Sequence, residues 1–299
     1  MYINCFILYS KTNNYTANKY YNLNLLAKVG QGGYGIIYEI NKNYVIKIFK
    51  KSSIDTNINT EGNELIPTKN ENREINFFTS YIKHKNVNSN YIIDIKAIGI
   101  ICENYKIDGI LIKKNTFIMI MPICVSIYKL LDLWKKPLIN HKQGIEIVLN
   151  IMKKIINIQM YLSEYYNIIN LDIKLDNFMI ENKKKLLIEN IINIDLGLIK
   201  TKNTNNYKLN YDYSIWPIGE NIKLDKIPSY SICINGLEIL FGNKFIETSK
   251  NMTVSEKLNI LKNNKDIYNI FYNGLLLKLN LKQLQHLIIN YLKTINNNK

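Results

Sequence analysis

Residues Ile169–Ile180 read INLDIKLDNFMI. Asp172, Lys174, Asp176 and Asn177 share one short turn, with apolar residues on both sides and NIDLGL (Asn193–Leu198) a little further on. Two readings compete. A polar turn between two apolar strands is ordinarily a solvated one. Yet the side-chain oxygens of Asp172 and Asn177, with a lysine between them, are also what a site for phosphate and a hard cation requires. Asp195 extends the second reading. It ends an apolar run two residues before Gly197, where the backbone can turn away and leave the carboxylate facing a metal.

The residues upstream bear on the choice. Gly30–Tyr38 reads GQGGYGIIY, between two runs with strand character. Glycines at 30, 32 and 35 let main-chain N–H groups approach a ligand closely, and such groups suit phosphate oxygens. A dinucleotide fingerprint would need these glycines to open a helix; a second strand, GIIYEI, follows instead and argues against that fold. By itself the segment is equally a glycine-rich hairpin. The next strand, YVIKIF, carries Lys47 among apolar neighbours, either as a surface lysine or as a cation reaching phosphate. The second role needs an orienting carboxylate. ENREINFFTSYI (Glu71–Ile82) has helical spacing, with Ile75, Phe78 and Ile82 on one face and Glu74 beside them.

Elsewhere the chain divides in character. Residues 23–50 read as strands with a turn at NKN, and 91–102 and 109–121 as two more strand-like runs. Residues 51–70 read as a polar loop or poorly ordered insert, punctuated by Gly62 and Pro67. Residues 144–166 form the clearest amphipathic helix, strand-like runs return at 178–180 and 186–194, and 229–295 is again helical. A strand-rich first third thus meets a helix-rich remainder near Met121–Cys124, where Pro122 breaks the strand. The expected organisation is an extension over 1–19, a first lobe over 20–121 and a second over 122–299.

With 299 residues and 47% hydrophobic content, the chain can bury a sizeable core. Heavy use of Asn, Ile, Lys and Tyr, with Arg73 the sole arginine, points to an AT-rich genome. The net charge of +15 favours acidic partners, although much of it reads as lysine on solvated faces, and no dense basic block marks a nucleic-acid motif. Cys5, Cys102, Cys124 and Cys233 make no CxxC pair, which excludes the commonest zinc and redox motifs and suits free thiols in a reducing compartment. The first ten residues lack the basic region and cleavage site of a signal peptide, and no uncharged apolar run reaches membrane-spanning length. A soluble, cytoplasmic protein is expected; oligomeric state is left open.

Glycine hairpin, strand lysine, helix glutamate, D-x-K-x-x-x-N and D-L-G occur in one order at compatible spacings, and this order resembles the eukaryotic-type protein kinase family. GQGGYGIIY resembles the family's glycine-rich loop, with Ile37 for its valine; VIKIF its V-A-I-K strand; NLDIKLDN its H-R-D-L-K-x-x-N loop; and DLG its D-F-G. The resemblance runs from about residue 20 to 245 and more weakly to 295. The chain looks like a divergent serine/threonine kinase of a large DNA virus, poxvirus-like in flavour, acting in host cytoplasm or virion. The implied fold is α+β and two-lobed, a small antiparallel-sheet lobe and a larger, mainly helical one with ATP between them.

The resemblance also implies roles. Gly30, Gln31, Gly32, Gly33, Tyr34, Gly35 and Ile37 would cover the ATP phosphates, and Lys47, held by Glu74, would contact them. Asp195 and Asn177 would hold Mg²⁺. Asp172 would orient the acceptor hydroxyl, and Lys174 would stabilise the transferred phosphoryl group. Adenine would sit against Met121–Ile123, with Ile120 limiting the pocket behind it. Lys174 two residues after Asp172 is the pattern for Ser/Thr acceptors on protein substrates.

Several positions depart from the family. Its His-Arg pair is Asn170–Leu171 here, Leu196 replaces phenylalanine, and A-P-E is at best PIGE at 217–220. The helix PSYSICINGLEILFG lacks the family's aspartate at the expected place. The groups that would touch ATP, metal and acceptor are present; the missing ones are scaffolding. An inactive kinase-fold scaffold and a small-molecule phosphotransferase of the aminoglycoside or choline kinase type are the alternatives.

Overall fold

The structure is a computed structural model, and it describes residues 1–31, 35–49, 59–61, 64–66, 73–83, 90–133, 142–202, 222–241, 258–259 and 261–297. The chain forms two compact units. The first comprises Met1–Val125 with Glu181–Lys183 and Asp195–Gly197; the second comprises Ser126–Ile180, Lys184–Ile194 and Leu198–Lys299.

The first unit is built on strands β1 (Tyr2–Ser10), β2 (Lys19–Asn24), β3 (Lys28–Gln31), β4 (Gly35–Asn41) and β5 (Tyr44–Phe49). A short hairpin, β6 (Asn59–Glu61) and β7 (Glu64–Ile66), and helix α1 (Arg73–Lys83) follow. Then come β8 (Ala97–Ile101), β9 (Tyr105–Ile107), β10 (Ile110–Ile112) and β11 (Phe117–Pro122). Seven strands make one antiparallel sheet in the order β2-β1-β8-β11-β5-β4-β3. Residues 2–10, inside the segment read as an extension, are an internal strand of it. One face carries the isoleucine core: Ile3 and Ile7 of β1, Ile36 of β4, Ile46 and Ile48 of β5, and Ile118 and Ile120 of β11. At the NKN turn, Asn41 Oδ1 accepts from the backbone N–H of Asn43 and Tyr44, which closes the β4–β5 hairpin. In α1 the expected face is buried: Ile75, Phe78 and Ile82.

The strand-like run at 109–121 is broken in two. Asp108 and Gly109, with φ of 48° and 78°, form the two-residue turn between β9 and β10. Asn115, with φ of 66°, lies in the turn that separates β10 from β11.

The second unit contains the short helix α2 (Ile127–Leu131), the long helix α3 (Lys142–Tyr166), α4 (Ile227–Phe241), α5 (Lys265–Leu275) and α6 (Leu281–Asn297). Strand β12 (Cys124–Ser126) leads into it, and Ser126 Oγ caps α2 by accepting from Tyr128 N. Strands β13 (Ile168–Asn170) and β16 (Ile199–Thr201) pair antiparallel, as do β14 (Phe178–Glu181) and β15 (Ile191–Asn193). Of the run at 186–194, only Ile191–Asn193 forms a strand, β15, and a single 3₁₀ turn takes Ile188–Asn190. Helix α4 is apolar nearly all round, as a helix enclosed by its neighbours must be, and packs against α3 and α5. Tyr128 ties α2 to α4 by donating to Glu238 Oε1 at 2.7 Å.

Gly99 of β8 tests the seating of β1. A Cβ there would lie 2.5 Å from the Phe6 carbonyl oxygen and 3.1 Å from Ile7 Cδ1. A strand backbone cannot give way as a side-chain end can. Gly99→Ala is therefore expected to cost about 1–3 kcal/mol through overpacking. The check is thermal melting of the purified variant; an unchanged Tm would show that β1 does not sit against β8.

Candidate phosphotransfer site

Lys47, Glu74 and Asp195 belong to the first unit. Strand β5 is buried along almost its whole length, and alternation decides which way Lys47 faces. Ile46 and Ile48 point into the isoleucine core, so Lys47 points to the opposite face. There its Nζ donates to Glu74 Oε1 at 2.8 Å and Oε2 at 2.7 Å. Lys47 is 7% exposed and Glu74 2%. Burial pushes the Glu74 carboxyl up from its ordinary 4.5, Lys47 opposes that rise, and the negative charge of Asp195 adds to it. Asp195 Oδ1 accepts from Gly197 N at 2.9 Å, which fixes the carboxylate at the turn.

Gly35 lies directly over the lysine stem. A Cβ there would be 2.9 Å from the Ile48 carbonyl oxygen and 3.3 Å from Lys47 Cγ. Gly30 and Gln31 end β3, while Ile37 pairs with Lys47 across β4 and β5. Gly32, Gly33 and Tyr34, the rest of the glycine loop, lie outside the described residues.

Strand register corrects one expectation. Ile120 is paired with Ile46 and belongs to the isoleucine core, so it faces away from Lys47. Met119, opposite Lys47, and Met121, opposite Val45, occupy the lysine face. Isoleucine is excluded from limiting a pocket on that face by the two-residue period of the strand. Ile123 has both main-chain groups engaged: its N–H donates to Asn43 O at 3.0 Å, and its carbonyl accepts from Asn182 N at 2.9 Å.

The turn after β13 belongs to the second unit. Asp172 is buried, and its Oδ2 accepts from Lys174 Nζ at 3.0 Å and from Asn177 Nδ2 at 2.9 Å. Asn177 Nδ2 also donates to the Asp172 carbonyl at 2.8 Å, closing the turn on itself. With its nitrogen so used, Asn177 has Oδ1 to offer a cation. Asn177 O accepts from Ile194 N at 3.0 Å, which ties this turn to the residue preceding Asp195.

Sequence reasoning missed two supports of this turn. Asn170, where the family has histidine, accepts from Asp172 N through Oδ1 at 3.0 Å. Asn235, in the middle of α4, donates from Nδ2 to the Ile173 carbonyl at 2.7 Å and to Ser231 O at 2.8 Å. The available signal was a lone buried amide in the apolar run SICINGLEILF. Leu171, where the family has arginine, is buried against Ile169, Ile222, Leu224 and Ile227.

A solved rhoptry kinase from Toxoplasma gondii is similar to this chain at a TM-score of 0.56 and 8% identity, covering 100% of this chain and 86% of that one. The chain has a protein-kinase-like fold. No protein-family model matches the sequence, and no curated protein does. The kinase likeness is therefore one of architecture, an antiparallel-sheet unit followed by a mainly helical one. Among the described residues, no three His, Cys, Asp or Glu side chains cluster for a metal, and no helix is long and apolar enough to cross a membrane.

The buried pair yields a stability prediction. Removing the ammonium leaves the buried Glu74 carboxyl without its counter-charge, so Lys47→Met should cost about 3–5 kcal/mol, while the double variant Lys47→Met/Glu74→Met should recover most of that loss. The pH sign follows from Glu74. Its folded pKa lies above the unfolded value, so the group's stabilisation is full below 4.5 and is lost as pH rises through the folded value. Lys47→Met removes the opposing charge and enlarges the rise, so this variant should be more stable near pH 5 than near pH 8. Denaturant titrations at both pH values check this. A double variant no more stable than Lys47→Met would show that the two side chains do not act as a pair.

Proposed function

We propose that the chain is an ATP-dependent protein kinase that transfers the γ-phosphate of ATP to Ser or Thr hydroxyls of protein substrates. The observation that carries this reading is the buried Lys47–Glu74 pair. A fold gains little from two charges placed inside it, since apolar residues of the same volume serve as well. A doubly anchored ammonium held on one face of a rigid sheet is, by contrast, what a polyphosphate needs. In this reading residues 20–121 grip the nucleotide, with Gly30–Gly35 over the phosphates and Met121 towards the adenine. Residues 122–299 position the acceptor.

Asp172 orients the acceptor hydroxyl through a hydrogen bond, and Lys174 and Asn177 hold its carboxylate in place. Lys174 then stabilises charge on the phosphoryl group in transfer. Mg²⁺, which neutralises phosphate charge when bound, would be held by Asp195 and Asn177. Few protein ligands fit that ion, because it keeps waters and substrate phosphates in its shell. Ser/Thr acceptors, a viral origin with action in host cytoplasm or virion, and acidic protein partners for the +15 charge complete the proposal.

A second reading, an inactive kinase-fold scaffold, is favoured by Ile123. Its engaged N–H and carbonyl leave fewer main-chain groups for an adenine edge. Incubating purified protein with labelled ATP, Mg²⁺ and a panel of acidic and basic proteins separates the two, with Asp195→Asn as control. Small alcohols in parallel test the small-molecule alternative.

Lys47→Met and Asp195→Asn are expected to abolish transfer while the protein still folds; near-normal turnover in either would remove this mechanism. Asp172→Asn should lower kcat about 10²–10⁴-fold, because an amide oxygen is a weak, uncharged acceptor for the hydroxyl proton. Its ATP affinity should change little, which equilibrium binding of a fluorescent ATP analogue measures. Lost binding with retained transfer would show the roles to be misassigned.

Control by phosphorylation should differ from that of kinases with arginine before the catalytic aspartate. Leu171 cannot form the bidentate pair that orders a phosphorylated segment, and Arg73, exposed on α1, is the chain's sole arginine. The segment holding Thr204, Tyr207, Tyr211, Tyr213 and Ser214 lies outside the described residues. Protein stripped by a phosphatase, then freed of it, should show its full initial rate. A rate that starts near zero and rises with phosphorylation would overturn this.

A further inference from the structure

Helix α1, which carries Glu74, packs on strand β1. The strand register shows how the two meet. Lys47 of β5 stands opposite Met119 of β11, Met119 opposite Ile98 of β8, and Ile98 opposite Tyr9 of β1. One row of side chains therefore runs across the sheet from Lys47 to Tyr9, on the face that Glu74 covers. Three strand spacings of about 4.8 Å separate its ends. Glu74 and Tyr81 lie seven residues apart on α1, which is two turns along one face and about 10 Å of rise. Lys11, the residue after β1, meets the Tyr81 end. Its Nζ lies 3.8 Å from the centroid of the Tyr81 ring and 3.8 Å from Asp94 Oδ1, and its N–H donates to Lys96 O at 3.0 Å. Asp94 holds Lys96 through its other oxygen. Tyr81 is buried, and its ring packs against Phe77 and Phe78 of the same helix. A cation is attracted to an aromatic face, more strongly where water is partly excluded, and the Lys11 side chain is only 21% exposed.

We propose that Lys11 is a positioning residue: seated on the Tyr81 ring, it fixes the far end of α1 and so keeps Glu74 on Lys47. The inference rests on the reading of Lys47 as the lysine that grips phosphate. A helix moves as a rigid element, so a contact that anchors one end acts at the other. Glu74 needs such an anchor, because burial of its carboxyl opposes the charged form and the pair with Lys47 holds only while its geometry is good. The segment that precedes the glycine-rich loop thereby sets the geometry of an ion pair three strands away.

The test pulses the full chain with N-acetoxysuccinimide at pH 8, without nucleotide, and follows acetylation of Lys47 by mass spectrometry. Lys154, half-buried in α3 of the second unit, is the internal control. In the wild type Lys47 should react slowly, because its amine is buried and paired. Lys11→Met keeps the stem and removes the charge. Lys47 should then react about fivefold faster, with Lys154 unchanged, which is the scale set by one partly buried cation–π contact. Lys11→Arg, whose guanidinium can meet both the ring and Asp94, should react like the wild type. Should Lys11→Met not fold, Asp94→Asn, which removes the carboxylate beside Lys11, should raise Lys47 labelling with the same selectivity. Lys47 labelling that is unchanged in Lys11→Met or Asp94→Asn, raised equally in Lys11→Arg, or raised only together with that of Lys154 would each overturn the inference. In kinetics, Lys11→Met should raise the KM for ATP about fivefold and leave the KM for the acceptor unchanged; an unaltered KM for ATP would overturn it too. A wild type that transfers no phosphate would count against the proposed function alone, since the labelling needs no nucleotide.

Discussion

A lysine and a glutamate held together inside an isoleucine-rich sheet unit set the terms for the first half of this chain. Two charges taken out of water are costly, and their attraction offsets the cost only where geometry is good and the other hydrogen-bonding positions are filled. The unit meets that condition through its strand register. Ile46 and Ile48 anchor one face of β5, so Lys47 must emerge on the other. The apolar face of α1, with Ile75 and Phe78 buried, carries Glu74 to the lysine. Gly35 is required where the backbone of β4 lies over the lysine stem. The cost that remains is visible in Glu74, whose carboxyl is driven upward by burial and by Asp195 despite the neighbouring ammonium.

The second unit solves a similar problem with neutral groups. The turn that holds Asp172 is supported by Asn170, Asn177 and Asn235, through bonds of 2.7–3.0 Å to backbone and carboxylate. An amide satisfies a buried N–H or carbonyl without bringing in a charge that would itself need a partner. In a core made largely of isoleucine and leucine, this is less demanding than the histidine that the kinase pattern places where Asn170 stands. The solution is incomplete, since Asn170 Nδ2 and Asn235 Oδ1 have no hydrogen-bond partner among the described residues. Asn170 and Asn235 each bond the turn through one end of the amide only.

What was legible in the sequence was short-range. The strand lysine, the helix glutamate and the Asp172 turn each occupy a few residues, and their chemistry constrains spacing tightly enough to be read without a fold. Strand β1 was hidden because YINCFILY is apolar on both faces; the buried Ile3, Cys5 and Ile7 alternate with Phe6 and Leu8, which are half-buried. The β9–β10 hairpin had its signal in Asp108–Gly109, and it went unseen because the flanking strands are three residues each. The facing of Ile120 depended on pairing with β5, which no local pattern encodes. Asn235 could be noticed as odd in an apolar helix, but its partner lies 62 residues away, at Ile173.

The scarcity of arginine has a structural consequence as well as a compositional one. A turn that ends in Arg-Asp can be pinned by an ion pair, and an ion pair can be made or broken by adding a phosphate. Here the residue before Asp172 is Leu171, enclosed by Ile169, Ile222, Leu224 and Ile227, with its N–H donating to Leu198 O at 3.0 Å. Apolar burial is non-directional and insensitive to nearby charge. A turn backed in this way at Leu171 needs no ion pair at that position to be ordered. Replacing the arginine by leucine therefore exchanges a switchable contact for a permanent one. The carboxylate that the kinase reading requires at position 172 is held by packing on one side and by Lys174 and Asn177 on the other.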